Sequence, residues 1–322
     1  MKKLYILLFT VALSFTAQSV WAGSKVENTT TEGQNVTTAT TTYYITAPRF
    51  VRPLIEKWIS EYRKVNAHAN FAIAKTAEAK GKSALHIQLN ENSSADNLAQ
   101  PTIYFAEYAI LPVAGKNSEA AKTLSKQELN SKNIKNLYFE KDDFDEPDKN
   151  DKKVAPYVVY AGNGNQSVSA EFASHYGKDA SHFRGKRIVG DDLFLNTAIQ
   201  KDPQGITFNA IPNIYDLKTR KLKSDLALLP IDVEKSLRSV FGQETTIDDV
   251  ISLLEANKSS NIPVERIGFS YQEGDDNVAQ FISWILSEGE SYNHDFGLLR
   301  LNAKDVAQQA KQLSNRLTAQ NK

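Results

Sequence analysis

Residues 154–177 read VAPYVVYAGNGNQSVSAEFASHYG. The β-branched and aromatic run at Val154, Tyr157, Val158, Val159 and Tyr160 predicts a strand. Gly162-Asn163-Gly164-Asn165 predicts a tight polar turn. Val168, Phe172 and Tyr176 then share one stripe of a helix over 166–176. A strand that turns sharply into a helix brings free backbone N–H groups and the positive helix end to one point, where an anion can be held.

The same alternation runs outward in both directions. Upstream, 43–46, 70–76 and 83–89 read as short strands, and 102–114 (TIYFAEYAILPVA) as a long buried strand or a crossing between lobes. Between the first two lies a helix over 50–65, with Pro53 in its first turn and Leu54, Ile55, Trp58, Ile59 and Tyr62 on one stripe. Ser125 and Glu128 have the spacing of a capping box and predict a helix start there. Downstream, the pattern predicts a strand over 187–189, a helix over 191–200 with Asp191-Asp192 either capping it or standing at a cleft rim to accept from a ligand, and a strand over 206–211. A hairpin over 215–223 follows, with 226–231 as its buried second strand. Helices are predicted over 247–256, 277–288 and 303–317. Strands alternating with helices make this an α/β chain with mainly parallel sheet.

Composition sets the compartment and excludes several classes. Lys2 and Lys3 precede an apolar run over 4–17 that ends at Val20-Trp21-Ala22, the form of a cleaved export leader over 1–22. Its removal takes two lysines and no acids, leaving a charge of about −2, which favours neither nucleic acid nor a membrane surface. No membrane span is expected after leader cleavage, and the signal form points to the periplasm. The sequence has no cysteine, so disulfides and thiolate metal sites are excluded. Residues 23–42 are Thr-, Ser-, Gly- and Asn-rich and read as a flexible tether. The acidic loop over 140–153 lacks the glycine and closing glutamate of a helix-loop-helix calcium site and reads as solvated. His68, His86, His175, His182 and His294 are scattered, and no serine sits in a nucleophile-elbow pattern. No catalytic residue, metal or cofactor is expected, and the chain is not expected to be an enzyme.

Five segments, in order, resemble the phosphate-type substrate-binding proteins of ABC transporters, within the type II periplasmic-binding-protein superfamily. They are Phe50-Val51-Arg52-Pro53 with Trp58 and Tyr62, the 124–129 segment LSKQEL, the 155–172 strand–turn–helix, the 198–206 segment AIQKDPQGI, and Phe281 and Trp284 through Gly289, Tyr292 and Gly297. The likeness covers 43–301 and implies two α/β lobes, mainly parallel sheets and a two-strand hinge, with solute captured as the lobes close. Crossings would fall near 108–114 and 206–211, giving lobe one as 43–107 with 208–322 and lobe two as 108–207.

The resemblance also implies ligand contacts at Arg49, Phe50, Thr76, Tyr160, Gly162, Asn163, Gly164, Asn165, Gln166 and Ser167. Laid on the family's anion cradle, Tyr160 stands at its arginine and Gly164, Asn165 and Gln166 at its Ser-Gly-Thr. Ser167 supplies a hydroxyl one place on, Arg49 replaces a threonine before Phe50, and no carboxylate stands over 84–90 where the family has its phosphate-accepting aspartate. The implied function is a monomeric solute-binding protein that captures a small anionic or polar solute, phosphate or another oxyanion, for an ABC permease. The alternative is a non-transport envelope accessory, sensor or interaction protein on the same fold.

Overall fold

Short strands with buried faces need neighbours, and those neighbours come from distant parts of the chain. The computed structural model describes residues 41–89, 102–141, 156–164, 167–234, 238, 241, 244–257, 261–271 and 274–320. The expected leader, the tether up to residue 40 and the acidic loop beyond residue 141 lie outside the described residues. The strands are β1 (Thr42–Thr46), β2 (Asn70–Ile73), β3 (Ser83–Gln88), β4 (Ile103–Gly115), β5 (Val158–Gly162), β6 (Lys186–Ile188), β7 (Gly205–Ala210), β8 (Leu226–Leu228) and β9 (Val264–Tyr271). The helices are α1 (Arg52–Val65), α2 (Ala77–Gly81), α3 (Glu119–Leu124), α4 (Ser131–Tyr138), α5 (Ser169–His175), α6 (Leu193–Lys201), α7 (Ile211–Ile214), α8 (Ile247–Ala256), α9 (Asp276–Ser287) and α10 (Ala303–Gln320).

The sheet runs β2-β1-β3-β9-β4-β7-β5-β6, with β8 also on β4. Its two ends are parallel: β1 pairs with β2 and β3, and β5 pairs with β6 and β7. Its middle is antiparallel, through β3–β9, β9–β4, β4–β7 and β4–β8. Strand β4 is shared. Its start pairs with β9 from Ile103↔Phe269 to Ala109↔Val264, and its end pairs with β7 from Ile110↔Ala210 to Ala114↔Ile206. One half of the sheet is thus β2, β1, β3, β9 and the start of β4; the other is the end of β4 with β8, β7, β5 and β6.

Each half is filled by aromatics. Around α1, Trp58 packs edge-on to Phe105 at 5.0 Å and donates its indole N–H to the Gly289 carbonyl at 2.8 Å. Phe71 stacks on Phe281 of α9 at 4.2 Å. Around α5, Phe172 stacks on Phe208 of β7 at 3.9 Å with planes 5° apart, and Tyr138 and Tyr176 meet it edge-on. Pro53 stands in the first turn of α1, and Leu54, Ile55, Trp58 and Tyr62 form its buried stripe, as the spacing predicts.

The caps explain where helices start. Thr246 opens α8 in a capping box with Asp249, and Asp275 opens α9 by accepting from the Asn277 and Val278 N–H groups. The capping box expected at Ser125 and Glu128 does not form. Ser118 caps α3, whose C-cap is Ser125, and Asn130 caps α4. Leu124 and Leu129 are both buried, so the four residues between them must turn rather than begin a helix. The 226–231 segment likewise gives a strand at β8, but its partner is β4 rather than the 215–223 hairpin.

Candidate functional site

Strand β5 ends at Gly162, and α5 begins seven residues later. The start of a helix leaves backbone N–H groups that need acceptors. The residue at the N-cap of α5 is Val168, which has no polar side chain to offer. The acceptor comes instead from Asp192, at the entry to α6. Its Oδ2 accepts the Val168 N–H at 2.9 Å and its Oδ1 accepts the Ser167 hydroxyl at 2.7 Å. Ser169 Oγ accepts the Gly162 N–H at 2.9 Å, closing the turn on itself. Two of the donors that a strand–turn–helix would offer to an anion are thus engaged by a carboxylate of the chain, and a third by the Ser169 hydroxyl.

Gly162 makes this possible. A Cβ there would stand 2.2 Å from Ser167 Oγ and 2.8 Å from Asp192 Oδ1. Gly162→Ala is expected to turn Ser167 away from Asp192 and cost about 2 kcal/mol, the value of a hydrogen bond to a charged group. Urea titration checks this; an unchanged midpoint would remove the glycine's role.

Asp192 is 6 % exposed, and burial pushes its carboxyl up to about 6; the Ser167 and Val168 hydrogen bonds act against that rise and Asp191 adds to it. Its backbone carbonyl accepts from Asn209 Nδ2 at 2.8 Å. Asn209 is tied in turn to Asn196 at 3.1 Å and to Asn213 at 2.8 Å, all three buried. This amide network fixes α6 and α7 to β7, so Asp192 is held by its main chain as well as by its carboxylate.

Asp192 is the N-cap residue of α6 but gives no side-chain cap bond; Asp191, one residue earlier, accepts the Leu193 N–H at 2.9 Å. It also faces Arg49, whose Nε lies 3.9 Å from its Oδ2. Arg49 stands in a 3-10 turn before α1, in the other half of the sheet. Beside it Phe50 is buried and packs on the ring of Tyr108 at 5.7 Å. Tyr108 belongs to the shared strand β4 and is fully buried, and its hydroxyl has no hydrogen-bond partner among the described residues. Burial raises its ionisation well above the ordinary value, and Glu171, Glu265 and Asp192 raise it further. Val189 and Phe194, 77 % and 51 % exposed, flank the Gly190-Asp191-Asp192 corner.

The candidate residues are therefore distributed as follows. Gly162, Asn163, Gly164 and Ser167 form the turn, with Asn163 and Gly164 exposed. Asn165 and Gln166 lie outside the described residues. Arg49 reaches the corner beside the turn, and Phe50 lies beneath it. Thr76 is exposed and caps α2, accepting the Ala79 N–H at 3.2 Å. Tyr160 is buried on the α6 side, donates to Asp202 Oδ2 at 2.9 Å and receives a bond from Lys186 at 3.4 Å. The sequence pattern does not single out Tyr108 or Glu171, and it leaves Asp191-Asp192 open between a helix cap and a cleft-rim acceptor for a ligand donor. The one local signal was the doubled acid at 191–192, where a cap needs a single carboxylate. An open groove of about 470 Å³ between α1 and the edge strand β2 holds none of these residues. Among the described residues no group of three or more His, Asp or Glu is placed to hold a metal ion.

No protein-family model matches the chain, and no curated protein matches its sequence. Solved structures do match. A phosphate ABC-transporter substrate-binding protein from Clostridium perfringens, solved with bound phosphate, aligns over 81 % of this chain and 100 % of its own at 14 % identity and TM-score 0.57. An ABC-type phosphate transport receptor from Vibrio cholerae aligns over 80 % and 100 % at 13 % identity and TM-score 0.50. Both are binding proteins, and at such identities the likeness is one of architecture. With its parallel sheet ends, shared central strand and two aromatic cores, the chain has the two-lobed type II periplasmic-binding-protein fold of the phosphate receptors.

Proposed function

We propose that the chain is a monomeric periplasmic solute receptor, exported by its leader, which closes its two lobes on a small polar solute and presents it to an ABC permease. It acts by binding alone, with no cofactor and no catalysis. The observation that carries this reading is the contact of Arg49 with Asp191 at 3.9 Å, which joins the two halves of the sheet beside the β5–α5 turn. A guanidinium facing the opposite half is suited to sense closure around a solute. Sheet pairing also suggests that the second crossing lies in the β8–β9 connection rather than at 206–211, because β7 pairs with β5 and the end of β4. Lobe two would then run from about residue 110 to residue 263, and lobe one would hold the rest.

Thermal melting with phosphate, sulfate, sugars, amino acids and organic amines tests the receptor. A solute at a hundred times its Kd should add about 2.7 kcal/mol of stability. Arg49→Ala should reduce that gain several-fold, and no shift with any solute class would end the reading. The finer expectation, phosphate or another oxyanion, rests on the resemblance. Against it, two donors of the turn are engaged by Asp192. The exposed pair Val189 and Phe194 favours the second reading, an interaction protein on the same fold, which predicts no solute shift at all.

A further inference from the structure

We infer that the open groove between α1 and the edge strand β2 docks an extended segment of a partner protein. The segment adds a strand to β2, seats an apolar side chain in the groove and meets Arg63 or Lys75 with a carboxylate. The groove holds no residue of the β5–α5 turn, so the inference does not depend on the receptor reading.

The first observation is the main chain of β2. This strand ends the sheet and pairs on one side only, with β1. Ile45 stands opposite Ile73, and the Ala74 N–H donates to the Ile45 carbonyl at 2.8 Å. Main-chain groups alternate sides along a strand, so those of Asn70, Ala72 and Ala74 face β1 and those of Phe71 and Ile73 face outward. Among the described residues no main-chain bond from another element reaches that outer side. A donor and an acceptor repeated two residues apart are matched by another extended backbone.

The second observation is the space beside that edge. The groove of about 470 Å³ has apolar walls at Ile59 of α1 and at Phe71 and Ile73. Phe71 meets Tyr62 of α1 at 6.1 Å, which places it on the α1 face of the sheet. Every second side chain of an added strand would point to that same face, over the groove.

The third observation is charge. Arg63 stands in the last turn of α1 and Lys75 two residues beyond β2, both exposed and both lining the groove. The chain turns back between α1 and β2, so these cations stand at opposite ends. Neither has a hydrogen bond or ion pair to another described residue, whereas Lys64 next to Arg63 is held by Glu61. Glu56 is the one carboxylate of the lining, which leaves a net positive charge suited to a single acid. Two copies of the chain joined edge to edge about a two-fold axis would bring Arg63 of each against Lys75 of the other. Like charges oppose that pairing, so the occupant is a different chain that carries an acid.

The test is fluorescence anisotropy of the full chain with labelled hexapeptides that alternate Thr with Val or Leu and end in Asp, Asn or Lys. The Asp series should bind about 5-fold more tightly than the Lys series, and high salt should narrow the gap. Arg63→Ala combined with Lys75→Ala should level the two series. Ser60→Trp, which fills the groove from an exposed position, should weaken every peptide roughly 10-fold, with the melting temperature of both variants unchanged. N-methylation of one alternate set of peptide residues should abolish binding and of the other set leave it intact, because only one set faces β2. If no peptide binds, if binding survives Ser60→Trp, or if both methylated sets behave alike, the inference fails. A dimer in sedimentation that Ser60→Trp dissociates would make a second copy the occupant and overturn it as well.

Discussion

Replacing Phe172 by alanine should cost about 4 kcal/mol of folding free energy and lower the melting temperature by roughly 10 °C. Phe172 is fully buried in α5 and touches five other rings: Phe208, Tyr138, Tyr176, Phe139 and Phe183. Removing its ring takes apolar area from the core and leaves a hole bounded by other rigid rings, which cannot collapse into it. Its parallel stack on Phe208 adds a specific coupling. In a double-mutant cycle with Phe208→Leu the pair should show an interaction of about 1 kcal/mol. Chemical denaturation of the four variants measures both quantities. A loss under about 1 kcal/mol for Phe172→Ala would mean that this half of the core is far looser than its ring geometry.

The second large effect is electrostatic and changes with pH. Asp192 titrates at about 6 in the folded chain, against 3.8 for an ordinary aspartate. Between these values the folded state holds a proton that the unfolded state has released. Stability from this group is therefore full below about pH 4 and falls as pH rises through 6, by about 3 kcal/mol in total. Asp192→Asn removes the titration while keeping an acceptor for the Val168 N–H. The difference in unfolding free energy between wild type and variant should thus move against the wild type by about 3 kcal/mol from pH 4 to 7 and then level off. Other carboxylates act in both proteins and cancel. A flat difference across that range would show that Asp192 keeps an ordinary pKa despite its burial.

Local sequence pattern revealed most elements but not what completes them. The stripe on α1, the caps at Thr246 and Asp275 and the long run of β4 depend on near neighbours, so period and cap residues were enough. Strand β9 escaped notice although it lies at the centre of the sheet. Glu265, Arg266, Gly268 and Ser270 break its apolar run, and its burial comes from strands more than 150 residues upstream. Gly268 looks like a strand breaker, yet a Cβ there would stand 2.6 Å from Thr102 Cγ2 and 2.7 Å from the Ile103 carbonyl. The close pairing of β9 with the start of β4 requires the absence of a side chain. The site was hidden for a similar reason. The turn at 162–167 is visible in the sequence, but the carboxylate that fills it lies 25 residues from Ser167. Only folding brings them together.

The position of β9 also governs how the chain can be made. It lies between β3 and β4, so one edge of β3 and the start of β4 stay unpaired in the first half until residues 264–271 have emerged from the ribosome. Until then the growing chain carries two apolar strand edges without their shared partner. Such non-local pairing makes folding slow and late. The first lobe therefore folds after its synthesis is nearly complete, and truncation anywhere before Val264 should leave it unable to close its sheet.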